Sequence, residues 1–141
     1  MTPLSLPDAW QLGWPGAQSF CRGDVRDGGA AALLRLLVLA PLLEEWIVRA
    51  GVQEWLMRRT APLSSPLFSA CLQLLPPALF FSALHWRAGA QVAVQVFLPG
   101  LAFGLLYRAA RDWRACALAH ALSNAAALAY CHPFFQTPSF F

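Results

Sequence analysis

Two adjacent carboxylates and an arginine, Glu44, Glu45 and Arg49, stand inside a largely apolar run of about 28 residues, 30–57. A helix of that length crosses a hydrocarbon layer of about 30 Å with some tilt. The charges would then lie near mid-depth, where insertion scales assign roughly 2.5–3.5 kcal/mol to each Asp, Lys or Arg, while a Leu returns only about 0.5 kcal/mol. Three such groups offset the favourable insertion of about fifteen leucines. They persist in lipid where they pair with one another and have a task, so an intramembrane ionisable residue marks a functional site.

The rest of the chain agrees with that environment. Of its 141 residues 58% are hydrophobic and 12% charged, against about 25% charged in a soluble domain. The length is that of one domain. All ten basic residues are arginines, and they are scattered, so the net charge of +3 points to no nucleic-acid partner and fits loops that flank a bilayer. Cys21, Cys71, Cys116 and Cys131 have no CxxC spacing and read as small hydrophobes. The first residues lack a basic segment followed by an apolar core, so the first apolar helix is expected to direct insertion itself.

Read along its length, the sequence predicts an all-α integral membrane protein, a compact bundle of about four transmembrane helices. Residues 1–29, rich in Pro, Gly and Asp with Trp10, Trp14 and Phe20, read as an irregular interfacial segment. The bundle itself is placed at 30–130. Its first helix runs to Arg58 and Arg59, with Pro41 expected to kink it ahead of the glutamates. That is tolerable where a neighbouring group takes up the freed carbonyl. After the turn at 62–66 comes a second span, 67–86, expected to be interrupted at Pro76 and Pro77. The third, 90–107, carries Gly100 and Gly104 on one face, a spacing that admits close helix approach. The fourth is 113–130. An aromatic tail, 131–141, broken by two prolines, is expected to end at the interface.

Three patterns that include polar residues fall inside three of these helices, each a pair at i and i+4 and so on one helical face. Glu45 with Arg49 is the first, Phe81 with His85 the second, His120 with Asn124 the third. Glu44 points about 100° away from Glu45 and is left without an obvious partner. Antiparallel packing could gather Glu44, His85, His120 and Asn124 into one polar pocket, with each satisfying the others in the absence of water.

In order and each within an apolar helix, these residues resemble the EExxxR, FxxxH and HxxxN motifs of the CAAX protease and bacteriocin-processing family of glutamic-type intramembrane proteases. Glu44, Glu45 and Arg49 match the first, Phe81 and His85 the second, His120 and Asn124 the third. Many members have Phe before the arginine and Gly after it, where Val48 and Ala50 stand here. Extra helices that many members carry ahead of the core are not found, so the chain resembles a minimal version, similar to the short bacterial sorting-type members paired with JDVT-type or MYXO-type tails.

The resemblance implies a catalytic set of Glu44, His85, His120 and Asn124. Glu44 would act as general base on a water that His85 helps to hold, His120 and Asn124 would stabilise the oxyanion, and Glu45 with Arg49 would support the site. It implies no cofactor and no metal. It further implies a protein substrate with a C-terminal anchor or sorting tail, and a multi-pass location in the cytoplasmic membrane. The chemistry asks for such groups independently, since amide hydrolysis needs a positioned base and donors aimed at the developing oxyanion. Two other readings stay open on sequence alone: a non-catalytic membrane scaffold or bacteriocin-immunity protein of the same fold, and a zinc-dependent protease using Glu and two His, although no HExxH is present.

Overall fold

The computed structural model describes the backbone of residues 25–61 and 63–135. Most of the N-terminal segment, including Trp10, Trp14 and Phe20, and the last six residues lie outside the described residues, as do the side chains of Cys21 and Cys131. Among the described residues there are four helices and no strand. Helix α1 covers residues 25–60 with a kink at Gly29, whose φ of 50° and ψ of −141° are not helical; α2 is Pro66–Leu84, α3 is Ala90–Ala110 and α4 is Trp113–Phe135. The four-helix bundle expected from the sequence is the fold observed.

Local chemistry sets the corners. Ser65 caps α2 by accepting the Phe68 N–H at 3.4 Å, and Pro66 occupies the first helical position, where a missing N–H costs nothing. At the far end of α2, His85 leaves helical geometry, a single 3₁₀ turn follows at Trp86–Ala88, and Gly89 at φ 117° turns the chain back into α3. Arg111 closes α3 in the left-handed conformation, donating its N–H to the Tyr107 carbonyl at 2.8 Å. Asp112 then accepts the Arg114 N–H at 2.9 Å as α4 begins.

Three elements differ from the sequence expectation. Pro76 and Pro77 do not interrupt α2, which runs unbroken through both. In hydrocarbon a true break would strand several carbonyls, whereas a continuous helix strands only those facing the prolines. Helix α4 continues past Tyr130 through Pro133 to Phe135, so the first residues of the aromatic tail extend the last helix. Pro41 is accommodated by widening of the helix: Arg35–Leu39 is π-helical, with the Ala40 N–H reaching back five residues to the Arg35 carbonyl, and helical dihedrals continue across the junction. A second π-helical stretch, Trp46–Gln53, follows.

The bundle buries polar groups beside a small apolar core and turns large apolar side chains outward. Leu67, Val94, Leu98, Leu118 and Leu122 all face outward and are largely exposed, while Glu45, Arg49, Gln53, Gln73 and His120 are buried. That arrangement suits a solvent of lipid tails. By length and apolarity, α2 and α3 are each able to cross a membrane, with mean hydropathy 1.7 and 1.6.

A buried polar clasp joins α1 to α3. Glu45, Arg49 and Gln53, all fully buried, form a ladder at four-residue spacing. Arg49 donates Nε to Glu45 Oε2 at 2.7 Å, Nη1 to Gln53 Oε1 at 2.9 Å and Nη2 to the Gly100 carbonyl at 3.0 Å. Gln53 in turn donates Nε2 to the Gly104 carbonyl at 2.9 Å. The two glycines allow this approach. A Cβ on Gly100 would come within 3.2 Å of Phe81 Cδ1, and one on Gly104 within 3.2 Å of Leu74 Cδ2 and 3.4 Å of Arg49 Nη1. The expected small-residue face on α3 is therefore present, and it also supplies backbone acceptors for a buried charge.

Removing one partner of such a clasp leaves the other uncompensated, at about 3–5 kcal/mol. Arg49→Leu is expected to lower the yield of inserted, detergent-stable protein sharply, and Gly104→Val to do the same by displacing Arg49 and Leu74. Melting of the purified variants against wild type measures both effects.

Candidate functional site

Glu44 and Glu45 are neighbours in sequence, and their surroundings set them apart. The Glu45 carboxylate is fully engaged: Oε2 takes the Arg49 guanidinium, and Oε1 lies 3.1 Å from His120 Nδ1 on α4. One step around the helix, Glu44 is partly exposed, and its Oε2 is buried yet makes no hydrogen bond among the described residues. The nearest charge partner of that oxygen is His85 Nε2, at 3.8 Å, beyond hydrogen-bonding distance. An unengaged carboxylate oxygen at this depth is costly to keep.

His85 is oriented by its own helix. Its Nδ1 lies 3.0 Å from the Phe81 carbonyl, so the natural tautomer carries the proton on Nδ1, donates it to that carbonyl and turns the Nε2 lone pair toward Glu44. Phe81 binds the two histidines together through ring contacts, with centroids 5.0 Å from His85 and 5.4 Å from His120. On the other side His120 stacks on Phe103 at 5.3 Å and 22°. Phe81 also receives the Arg49 guanidinium over its face at 5.9 Å. It is the apolar wall between the clasp and the Glu44–His85 pair.

Asn124 lies one turn beyond His120 on α4 and reaches the backbone of α1, donating Nδ2 to the Leu36 carbonyl at 2.9 Å. The structure thus brings Glu44 and His85 face to face, ties His120 to Glu45 and ties Asn124 to α1. The sequence expectation that all four satisfy one another in a single pocket is corrected on this point. His120 and Asn124 bond to Glu45 and Leu36, because the rotation of α4 aims the HxxxN face at the first helix.

Thr60 and Gln73 are buried polar residues that sequence reading missed, and so is Gln53. Its signal was present, since Glu45, Arg49 and Gln53 repeat at four, but an isolated Gln near the end of a helix carries no chemistry by type. A further polar group closes the opposite end of the bundle. There Glu54 accepts from Tyr107 Oη at 3.0 Å, from Arg111 Nη2 at 3.0 Å and from Arg58 Nε at 2.9 Å. Among the described residues no three His, Cys, Asp or Glu side chains are grouped so as to hold a metal ion. A shallow apolar groove of about 650 Å³, lined by Trp46, Ile47, Ala50, Gly51, Val52 and Trp55, lies on the outer face of α1, turned away from the buried clasp.

No curated protein and no solved structure matches the chain. One family model does, and it covers residues 27–126, from the start of α1 to just past Asn124. By that match the chain belongs to the type II CAAX prenyl endopeptidase Rce1-like family, membrane-embedded proteases.

Proposed function

We propose that this protein is a glutamic-type intramembrane endopeptidase in which Glu44 is the general base. The observation that carries the reading is the contrast between the two glutamates: Glu45 is held by Arg49 and His120, whereas Glu44 Oε2 is unbonded and faces His85 Nε2 at 3.8 Å. A carboxylate with nothing to hold together is available to take a proton.

In the proposed reaction Glu44 removes a proton from a water held with the help of His85, and the water oxygen bonds to the scissile carbonyl carbon. The tetrahedral oxyanion is stabilised by the second N–H of Asn124 and by His120 in its doubly protonated form, whose Nδ1–H stays on Glu45 while its Nε2–H donates to the oxyanion. Collapse breaks the C–N bond, and Glu44 returns its proton to the leaving amine. Donors of this kind contribute about 3–4 kcal/mol each where they meet the oxyanion.

The membership of the family supports a protein substrate cut near a lipid-embedded C-terminal segment. Orientation narrows its class. Arg58, Arg59, Arg108, Arg111 and Arg114 belong to the end of the bundle where α1 meets α2 and α3 meets α4, while Arg87 and Arg35, with Arg22 and Arg26 ahead of them in sequence, belong to the opposite end. By this small margin the positive-inside rule favours a cytoplasmic position for the first end. His85, at the end of α2 beside the Trp86–Ala88 turn, then lies toward the outer face. A site there suits trimming of the C-terminal anchor or sorting tail of an exported protein. A substrate prenylated in the cytosol requires the reverse topology.

A second reading has an observation in its favour. His120 and Asn124 are both hydrogen-bonded within the bundle, as they would be in a non-catalytic scaffold of the same fold. Kinetics separate the two.

Glu44→Ala and Glu44→Gln are expected to abolish cleavage of a co-expressed tail-bearing substrate while leaving the protein inserted, and cleavage by a well-expressed Glu44→Ala variant would sink the assignment. His120→Ala and Asn124→Ala should lower kcat roughly a hundredfold or more with little change in substrate binding; equal losses in both would favour the structural role. Activity is expected to survive phenanthroline, and loss restored by zinc would favour the metal-dependent reading. For topology, single cysteines at Ser64 and Ala88, in a variant lacking the native four, are exposed to a membrane-impermeant thiol reagent on intact cells. Labelling at Ala88 alone is expected, and labelling at Ser64 alone would reverse the orientation.

A further inference from the structure

Pro41 lies in the first helix three residues before Glu44 and is fully buried. Just ahead of it the helix is in π register, with the Ala40 N–H bonded to the Arg35 carbonyl. In that register the next N–H, at position 41, is the one that would reach the Leu36 carbonyl. Proline has none. The Leu36 carbonyl is therefore passed over by its own helix, since Ala40 has gone to Arg35 and Pro41 cannot donate. Asn124 Nδ2 fills that gap at 2.9 Å, from a residue 88 positions away.

We propose that Pro41 is a positioning residue for Asn124: by withholding one N–H it leaves the Leu36 carbonyl open, and that carbonyl fixes the Asn124 amide. An amide carries two N–H donors on one nitrogen. With one anchored on Leu36, the other has a set direction and remains for the oxyanion. The inference rests on the reading of Asn124 as an oxyanion donor given under Proposed function. It adds that the donor's aim comes from a defect in the helix of the base, so base and donor are held by the same few residues of α1.

The consequence runs against the usual effect of proline in a helix. Replacing Pro41 by a residue with an N–H allows α1 to satisfy its own carbonyls, and removes the penalty that a proline imposes inside a helix. Stability should hold or rise while turnover falls. Pro41→Ala and Pro41→Val are compared, the second keeping much of the buried bulk of the ring, and each is purified, melted and assayed on a tail-bearing substrate. The expected result is a melting temperature at or above wild type and kcat lower by about tenfold or more, with KM little changed. Combined with Asn124→Ala, either substitution should add no further loss, because it acts through that side chain. Wild-type kcat in both Pro41 variants, or losses that multiply in the double variants, would overturn the proposal. Glu44→Ala assayed alongside keeps the two readings apart: cleavage by that variant defeats the glutamate mechanism, whereas full activity of the Pro41 variants defeats the positioning role alone.

Discussion

The structure depends on how one guanidinium is buried. Arg49 has no exposed surface, and each of its three nitrogens donates once, to Glu45, Gln53 and the Gly100 carbonyl. Arginine's planar fork serves such a position because it offers several donors in fixed directions and its charge spreads over the group. Each acceptor fixes something else. Glu45 is brought to His120, Gln53 to Gly104, and Gly100 must stay without a side chain so that Phe81 and Ala78 can close over it. The charge that looks most expensive in the sequence is the one from which the helix positions follow.

A division of labour between adjacent glutamates results. Successive residues on a helix point about 100° apart, so one carboxylate can face the clasp while its neighbour faces His85. Glu45 absorbs the positive charge of Arg49 and orders His120. Glu44 is spared both duties and sits opposite His85. Apolar contacts keep the two environments separate, with Phe81 touching the clasp on one side and both histidine rings on the other.

Much of this was legible in the sequence, for a physical reason. Charges in an apolar run are too costly to be incidental, so Glu44, Glu45, Arg49, His85, His120 and Asn124 announce themselves by type and place. The pairing of Glu45 with Arg49 follows from spacing within one helix. What spacing cannot give is the rotation of one helix against another. That rotation decides that His120 meets Glu45 and not Glu44, and that Asn124 meets a backbone carbonyl. The π-helical stretches were equally hidden, since a widened turn changes register without changing composition. The uninterrupted course of α2 through Pro76 and Pro77 shows local propensity yielding to the need to keep backbone groups paired in a medium that offers no water.

The clasp also bears on how the chain is made. Arg49 finds its acceptor on Gly100 51 residues later in the sequence, and Glu45 finds His120 75 residues later. When α1 leaves the ribosome neither partner exists, and only the Glu45–Arg49 pair offsets its charge. A helix in that condition partitions poorly into lipid on its own. Its stable seating is therefore coupled to the arrival of α3 and α4, which are made after it. The buried groups that join the helices thus also tie the insertion of α1 to the completion of the bundle.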